Sequence, residues 1–167
     1  MVQAAHGRGL RAPPAEGNDT MTDRLGVVDR VSALHRVDLF ASAPGRILLA
    51  VARSADELVA APGDVIIAEG DVEHHLFAIV EGRVRVEREG RVLLEQGPGS
   101  TVGELAVLVP EPRSASVVAV EPTIALRITT RVLDDLLADW PELAASVISA
   151  LVARLRATAG QEVPADR

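Results

Sequence analysis

The chain has 167 residues; 48% are apolar but only 2% aromatic, so its core must be built from Val, Leu, Ile and Ala. A formal charge of −7 argues against non-specific attraction to nucleic acid or an anionic membrane. The absence of cysteine excludes disulfides, iron–sulfur clusters, thiolate zinc sites and cysteine nucleophiles together.

No apolar run approaches the ~18 residues of a transmembrane helix. The stretch from Met1 to Gly17 carries His, Arg, Pro and Glu where a signal peptide needs its apolar segment. The expectation is a soluble cytoplasmic protein with no membrane insertion. Residues 1–20 read as a disordered N-terminal tail, and Met21 is a candidate alternative start. One folded domain is expected over residues 21–160, followed by a C-terminal tail at 161–167. From Leu25 to Phe40 the apolar set Leu25, Val28, Val31, Leu34 and Val37 recurs at helical spacing, and Ile47 to Ala52 suggests a second short helix.

The period then changes. From Glu57 to Thr129 short β-rich segments alternate with turn signals at Pro62-Gly63-Asp64, Glu69-Gly70-Asp71, Glu81-Gly82, Glu89-Gly90 and Gly97-Pro98-Gly99. Arg83-Val84-Arg85-Val86-Glu87 alternates strictly, which turns its valines to a core and its charges to water. Ile124, Leu126 and Ile128 are expected to point inward in the same way. Many short strands at this spacing imply a sandwich or barrel. Thr130 is placed to cap a helix running to about Ala138. A second cap, Asp139-Trp140-Pro141-Glu142, opens a stripe of Leu143, Val147, Leu151 and Leu155 that ends near Gly160. The fold class is therefore mainly β with flanking helices.

One stretch carries more than barrel-building requires: Gly97-Pro98-Gly99-Ser100-Thr101-Val102-Gly103-Glu104-Leu105-Ala106, followed by Pro112-Arg113-Ser114-Ala115. A helix starting near Gly103 leaves unpaired N–H groups at Glu104, Leu105 and Ala106, with a dipole that favours an anion. Gly103 lets the backbone approach a ligand closely. Arg113 offers a planar fork matched to phosphate oxygens, each charge-assisted bond being worth ~1.5–3 kcal/mol. As a surface-facing ligand group, Arg113 is expected to contribute little to stability. Glu104 would repel a bare phosphate but suits a ligand that also carries sugar hydroxyls.

Gly103-Glu104-Leu105-Ala106, with Arg113-Ser114-Ala115 following ten residues after the glycine, resembles the phosphate-binding cassette of the cyclic-nucleotide-binding domain family. Bacterial cyclic AMP receptor protein and the regulatory subunits of protein kinase A belong to that family. Pro62-Gly63-Asp64-Val65-Ile66, Glu69-Gly70-Asp71 and Val80-Glu81-Gly82 resemble its turns in the right order, and the similarity runs from roughly Leu39 to Leu155. The resemblance implies an eight-stranded β-roll, a jelly-roll-like double-stranded β-helix, with N-terminal and C-terminal helices and the cassette between the sixth and seventh strands. It implies Glu104 on the ribose 2′-hydroxyl, Arg113 on the cyclic phosphate, and Ser114 with the N–H groups of Leu105 and Ala106 completing the cradle. It also implies a C-terminal helix acting as a lid over the base or as the seam of a homodimer, with Val147 or Leu151 capping the base. The ligand would be cyclic AMP or cyclic GMP; Ser114 does not decide between them. No catalytic cofactor is expected.

Two other readings compete. A degenerate module would keep the roll as a scaffold for a protein partner without binding ligand. A metal-dependent cupin-type enzyme would draw on His74-His75 beside Glu73, but adjacent strand residues point to opposite faces and cannot both reach one ion. The chain ends seven residues after Gly160, so no DNA-reading helix-turn-helix is expected here. Output is expected through an unidentified protein partner or effector.

Overall fold

The computed structural model describes residues 24–104 and 111–141, together with 144, 145, 147–149 and 152. The expected tails at 1–20 and 161–167 lie outside these residues, as does most of the stripe from Leu143 to Leu155. Two helices, α1 (Val27–His35) and α2 (Gly45–Ser54), flank a single 3₁₀ turn at Asp38–Phe40. Eight strands follow: β1 (Asp56–Ala60), β2 (Val65–Ile67), β3 (His75–Glu81), β4 (Val84–Arg88), β5 (Arg91–Gln96), β6 (Thr101–Val102), β7 (Ser116–Ala119) and β8 (Thr123–Thr129). Helix α3 (Thr130–Asp139) then begins without a break from β8. Among the described residues no helix is long and apolar enough to cross a membrane.

The strands form two four-stranded antiparallel sheets, ordered β1-β8-β3-β6 and β2-β7-β4-β5. This is the β-roll with flanking helices, and the cassette segment joins β6 to β7 as expected.

Strand β3 reads Leu76-Phe77-Ala78-Ile79-Val80, an unbroken apolar run, and all five residues are buried. A strand with no polar alternation has to be covered on both faces. Its even residues Leu76, Ala78 and Val80 join the core between the sheet and α1, α2 and α3, whereas Phe77 and Ile79 fill the interior of the roll. Each of the large side chains adds about 1.5–3 kcal/mol by burial. The same parity holds in β8. Ile124, Leu126 and Ile128 are buried as expected, and the core they join lies against the helices; the roll interior receives Ala125.

Helix α1 also stops earlier than the apolar period suggests. Val37 is extended (φ −78°, ψ 125°), and the 3₁₀ turn after it sends both Leu39 and Phe40 into the core. Arg30, on α1, is buried and donates to the carbonyls of Ala55 (2.8 Å) and Ala52 (3.4 Å) at the end of α2. A cation there meets the negative end of the helix dipole and occupies carbonyls that α2 leaves open. Its Nη2 lies 3.6 Å from Glu57, whose carboxylate also accepts the N–H groups of Arg24 and Leu25. The helical layer is thereby tied to the first strand of the roll. At the other end, Thr129 is the N-cap of α3; the Thr130 hydroxyl caps nothing and instead donates to the His74 carbonyl at 2.9 Å.

The turn from β3 to β4 requires glycine. Gly82 has φ +84°, and a Cβ there would collide with the Pro122 carbonyl and lie 2.6 Å from Thr123 Oγ1. Gly82→Ala should therefore cost at least about 2 kcal/mol, backbone strain and overpacking together. A urea midpoint unchanged from wild type would refute this account of the turn.

Candidate functional site

The loop carrying Arg113 is fixed by its backbone before its side chain is considered. Arg113 N–H donates to the Asp71 carbonyl and Gly70 N–H to the Arg113 carbonyl, both at 2.8 Å. This two-way exchange docks residues 112–115 on the turn between β2 and β3. Ser116 Oγ accepts from Glu69 N–H (3.0 Å), and the Ser114 carbonyl accepts from Arg88 Nε (2.8 Å). The tightness of the loop follows from Gly70, whose positive φ (+85°) turns the chain back towards Arg113.

From that anchor the Arg113 side chain runs inward. It is 4% exposed, which overturns the expectation of a surface-facing group with little structural role. Nη1 donates to the Gly103 carbonyl (2.9 Å) and Nη2 to the His75 carbonyl (2.6 Å). Nε is buried and has no hydrogen-bond partner, and among the described residues no carboxylate lies within 4.0 Å to form an ion pair. Burial holds the guanidinium below its usual pKa, opposed by the fields of Glu73, Asp71 and Glu104. A buried cation satisfied by two carbonyl dipoles, with one N–H left over, is poised to accept an anion.

Gly103 fits against this guanidinium. With φ +81°, it has space for no side chain: a Cβ would lie 2.7 Å from Arg113 Nη1 and 2.9 Å from Ile67 Cδ1. The structure thus brings together the two residues that the cassette reading singled out for close approach and charge.

Glu104 is also buried, but it lies at another boundary. It lines a solvent-open cleft of about 370 Å³ with Leu39, Leu76, Leu133, Asp134, Leu137 and Val147, between the roll and the C-terminal helical layer. Val147, one of the expected base-capping residues, is buried on the far wall of this cleft; Leu151, the other, lies outside the described residues. Ser114 is exposed beside Arg113. Leu105 and Ala106, with the expected short helix, also fall outside the described residues.

His75 was weighed in the sequence only as a metal ligand, yet it belongs to this site. It shares the roll-interior face of β3 with Phe77 and Ile79, and its ring meets Phe77 edge-on at 5.0 Å. Its Nε2 lies 3.2 Å from Glu73 Oε2. Among the described residues no three His, Asp or Glu side chains converge as metal ligands. The carbonyl through which His75 holds Arg113 leaves no mark on a sequence. The nearest legible clue is its position on the strand face that lines the roll.

The family model described as "Cyclic nucleotide-binding domain" matches residues 57–139. The Pycsar effector protein XpPycTIR of Xanthomonas perforans is 34% identical over 101 residues, covering 59% of this chain and 33% of that protein. A CRP-like cAMP-activated global transcriptional regulator of Mycobacterium tuberculosis is 32% identical over 101 residues, covering 58% of this chain and 45% of the relative. The matched region is thus less than half the length of either. Among solved structures, the catabolite activator protein of Thermus thermophilus superposes with a TM-score of 0.65 at 31% identity, over 71% of this chain and 58% of the other.

Burial depresses the pKa of His75 below its ordinary 6.5, with Glu73 opposing the shift and Arg113, Arg127 and His74 adding to it. Because the unfolded chain then binds the proton more readily, the stability due to this ring is complete well above pH 6.5 and is lost as pH falls through the folded value. His75→Gln should flatten part of the decline between pH 7 and pH 5 in urea unfolding. An identical pH profile for variant and wild type would exclude His75 as its source.

Proposed function

The chain belongs to the cyclic nucleotide-binding domain family, and from that premise we propose that it is a ligand-responsive sensor for cyclic AMP or cyclic GMP. The observation that carries this reading is Arg113: a buried guanidinium with an unpartnered Nε and no carboxylate partner among the described residues. A structural arginine at such depth is normally neutralised, because an uncompensated buried charge is costly. A cyclic phosphate would neutralise it without displacing its backbone anchors.

In this reading Gly103 admits the phosphate to the guanidinium, while Glu104 accepts from the ribose 2′-hydroxyl. Ser114, exposed at the rim, adds a hydroxyl, and the N–H groups of Leu105 and Ala106 complete the cradle. The name of the Mycobacterium tuberculosis relative, cAMP-activated, favours cyclic AMP as the first nucleotide to test. The protein carries out no chemistry of its own and needs no catalytic cofactor.

The signal would pass to the C-terminal helices, where Glu104 already lies in the cleft against α3. To reach a ribose in the roll, Glu104 has to leave that cleft, and its withdrawal lets Leu133, Leu137 and Val147 close on Leu76. Ligand and helix closure are then linked by a residue that cannot occupy both places. The altered helical surface would act on a protein partner, and among the described residues Ile148 and Val152, exposed one helical turn apart, offer an apolar contact for a second copy.

Calorimetric titration of the unfolded-and-refolded, nucleotide-free protein tests the reading directly. Saturable binding of cyclic AMP or cyclic GMP at micromolar or tighter affinity is expected, with a loss of at least about tenfold in Arg113→Lys, which keeps the charge but not the fork. A folded, stripped wild type that binds neither would leave the ligand-free scaffold as the better account. Because Arg113 also holds two carbonyls, Arg113→Glu should be markedly destabilised as well as inactive, by about 3 kcal/mol or more.

Glu104→Ala should weaken binding several-fold for the ribose form and hardly at all for the 2′-deoxy analogue. Equal losses for both nucleotides would remove Glu104 from the ribose.

A further inference from the structure

Arg113 stands among three acidic side chains, Glu73, Asp71 and Glu104, whose fields all act on it, and Glu73 has the strongest influence. Yet none forms an ion pair with it among the described residues. A flexible, half-exposed carboxylate beside an unneutralised guanidinium would ordinarily swing onto it, since the fork geometry rewards a bidentate contact. Glu73 is instead turned to the His75 ring, with Oε2 3.2 Å from Nε2. The ring is itself held in place: it is half-buried on the roll-interior face of β3, edge-on to Phe77 at 5.0 Å, and the carbonyl of the same residue accepts from Arg113 Nη2.

We propose that His75 is a positioning residue for phosphate recognition: its ring draws Glu73 aside and its carbonyl aims Arg113, so that the guanidinium stays open to an incoming anion. This rests on the sensor reading above and adds an affinity-setting pair, Glu73 and His75, to it. Without the ring, Glu73 becomes an internal competitor for the phosphate. If the carboxylate then occupied Arg113 for about nine-tenths of the time, apparent affinity would fall about tenfold, because only the open fraction binds. The carbonyl of residue 75 survives any substitution, so the ring's contribution can be tested apart from the backbone's.

The experiment measures cyclic AMP and cyclic GMP affinity by calorimetry in wild type, His75→Leu, His75→Gln and the double variant Glu73→Gln/His75→Leu. Thermal unfolding establishes that each is folded, and His75→Ala replaces the leucine variant if the roll rejects it. The dissociation constant should rise about tenfold in His75→Leu, stay within about twofold of wild type in His75→Gln, which retains an N–H donor, and return to within about twofold in the double variant. An unchanged constant in His75→Leu overturns the proposal. So does a loss that Glu73→Gln fails to restore, which would make the ring a direct ligand contact or a packing element.

The Arg113 Nε–H resonance in nitrogen-edited NMR reads the same pairing with no nucleotide present. It should shift in His75→Leu and return in the double variant. If wild type binds neither nucleotide, the sensor reading fails while this resonance still decides the Glu73 competition: no shift in His75→Leu overturns it.

Discussion

Strand β3 is the constraint on which the rest of the molecule depends, because it has no face in water. Its register against β8 pairs Leu76 with Ile128 and Ala78 with Leu126, and these residues form the floor of the helical core. The residues between them, Phe77 and Ile79, fill the roll. A slip of one residue would exchange the two sets and place Phe77 among the helices, so both cores hold the strand in one register. Its first carbonyls therefore sit at fixed positions. His74 O accepts both the N–H (3.0 Å) and the hydroxyl (2.9 Å) of Thr130 at the start of α3, and His75 O accepts from Arg113. Adjacent peptide groups thus tie helix α3 and the cassette arginine to the same rigid strand end.

Two arginines are buried among the described residues of this acidic chain, and their surroundings differ in the way that separates structure from recognition. Arg30 lies against Glu57 and caps the end of α2, so its charge is answered by a carboxylate and a helix dipole. Among the described residues the Arg113 guanidinium is held by carbonyl dipoles alone, and its Nε has no partner. Carbonyls satisfy N–H groups but do not cancel a unit charge, and that residual charge is what an anion can use. The net charge of −7 makes the contrast sharper: long-range attraction of an anion is absent, so recognition has to be local.

The sequence carried the large features because they depend on side-chain period. Glycine turns punctuate the strands, and the change from helical to strand spacing at Glu57 falls within one residue of the start of β1 at Asp56. Val84, read as core from strict alternation, is fully buried in the roll. Gly103 and Arg113 were legible as a pair because a bare backbone and a fork at that spacing have few other joint uses. What stayed hidden depends on backbone atoms and on which of two cores a buried residue serves. The carbonyls of His75 and Gly103 have no letter in the sequence. Ile128 and Ala125 are both buried, and alternation alone does not say which side is the roll. The burial of Arg30 is hidden for the same reason: its partners, the carbonyls of Ala52 and Ala55, belong to another element.

The placement of the aromatic residues limits how a nucleotide could be held. The chain has two phenylalanines, one tryptophan and no tyrosine. Phe40 is fully buried under the helices, and Phe77 is buried in the roll beneath the His75 ring. Trp140, at the end of α3, has the Arg46 guanidinium 3.8 Å above its ring, so its π face is already engaged by a cation from α2. Neither phenylalanine presents a free face to a base, and one face of Trp140 already holds a cation. On the proposed reading, stacking would contribute little and the phosphate and ribose would supply most of the binding free energy. Discrimination between purine bases, resting then on aliphatic contact and edge hydrogen bonds, should be shallower than discrimination against ligands that lack the phosphate charge, because one buried guanidinium left without an anion costs more than a purine poorly covered by valine.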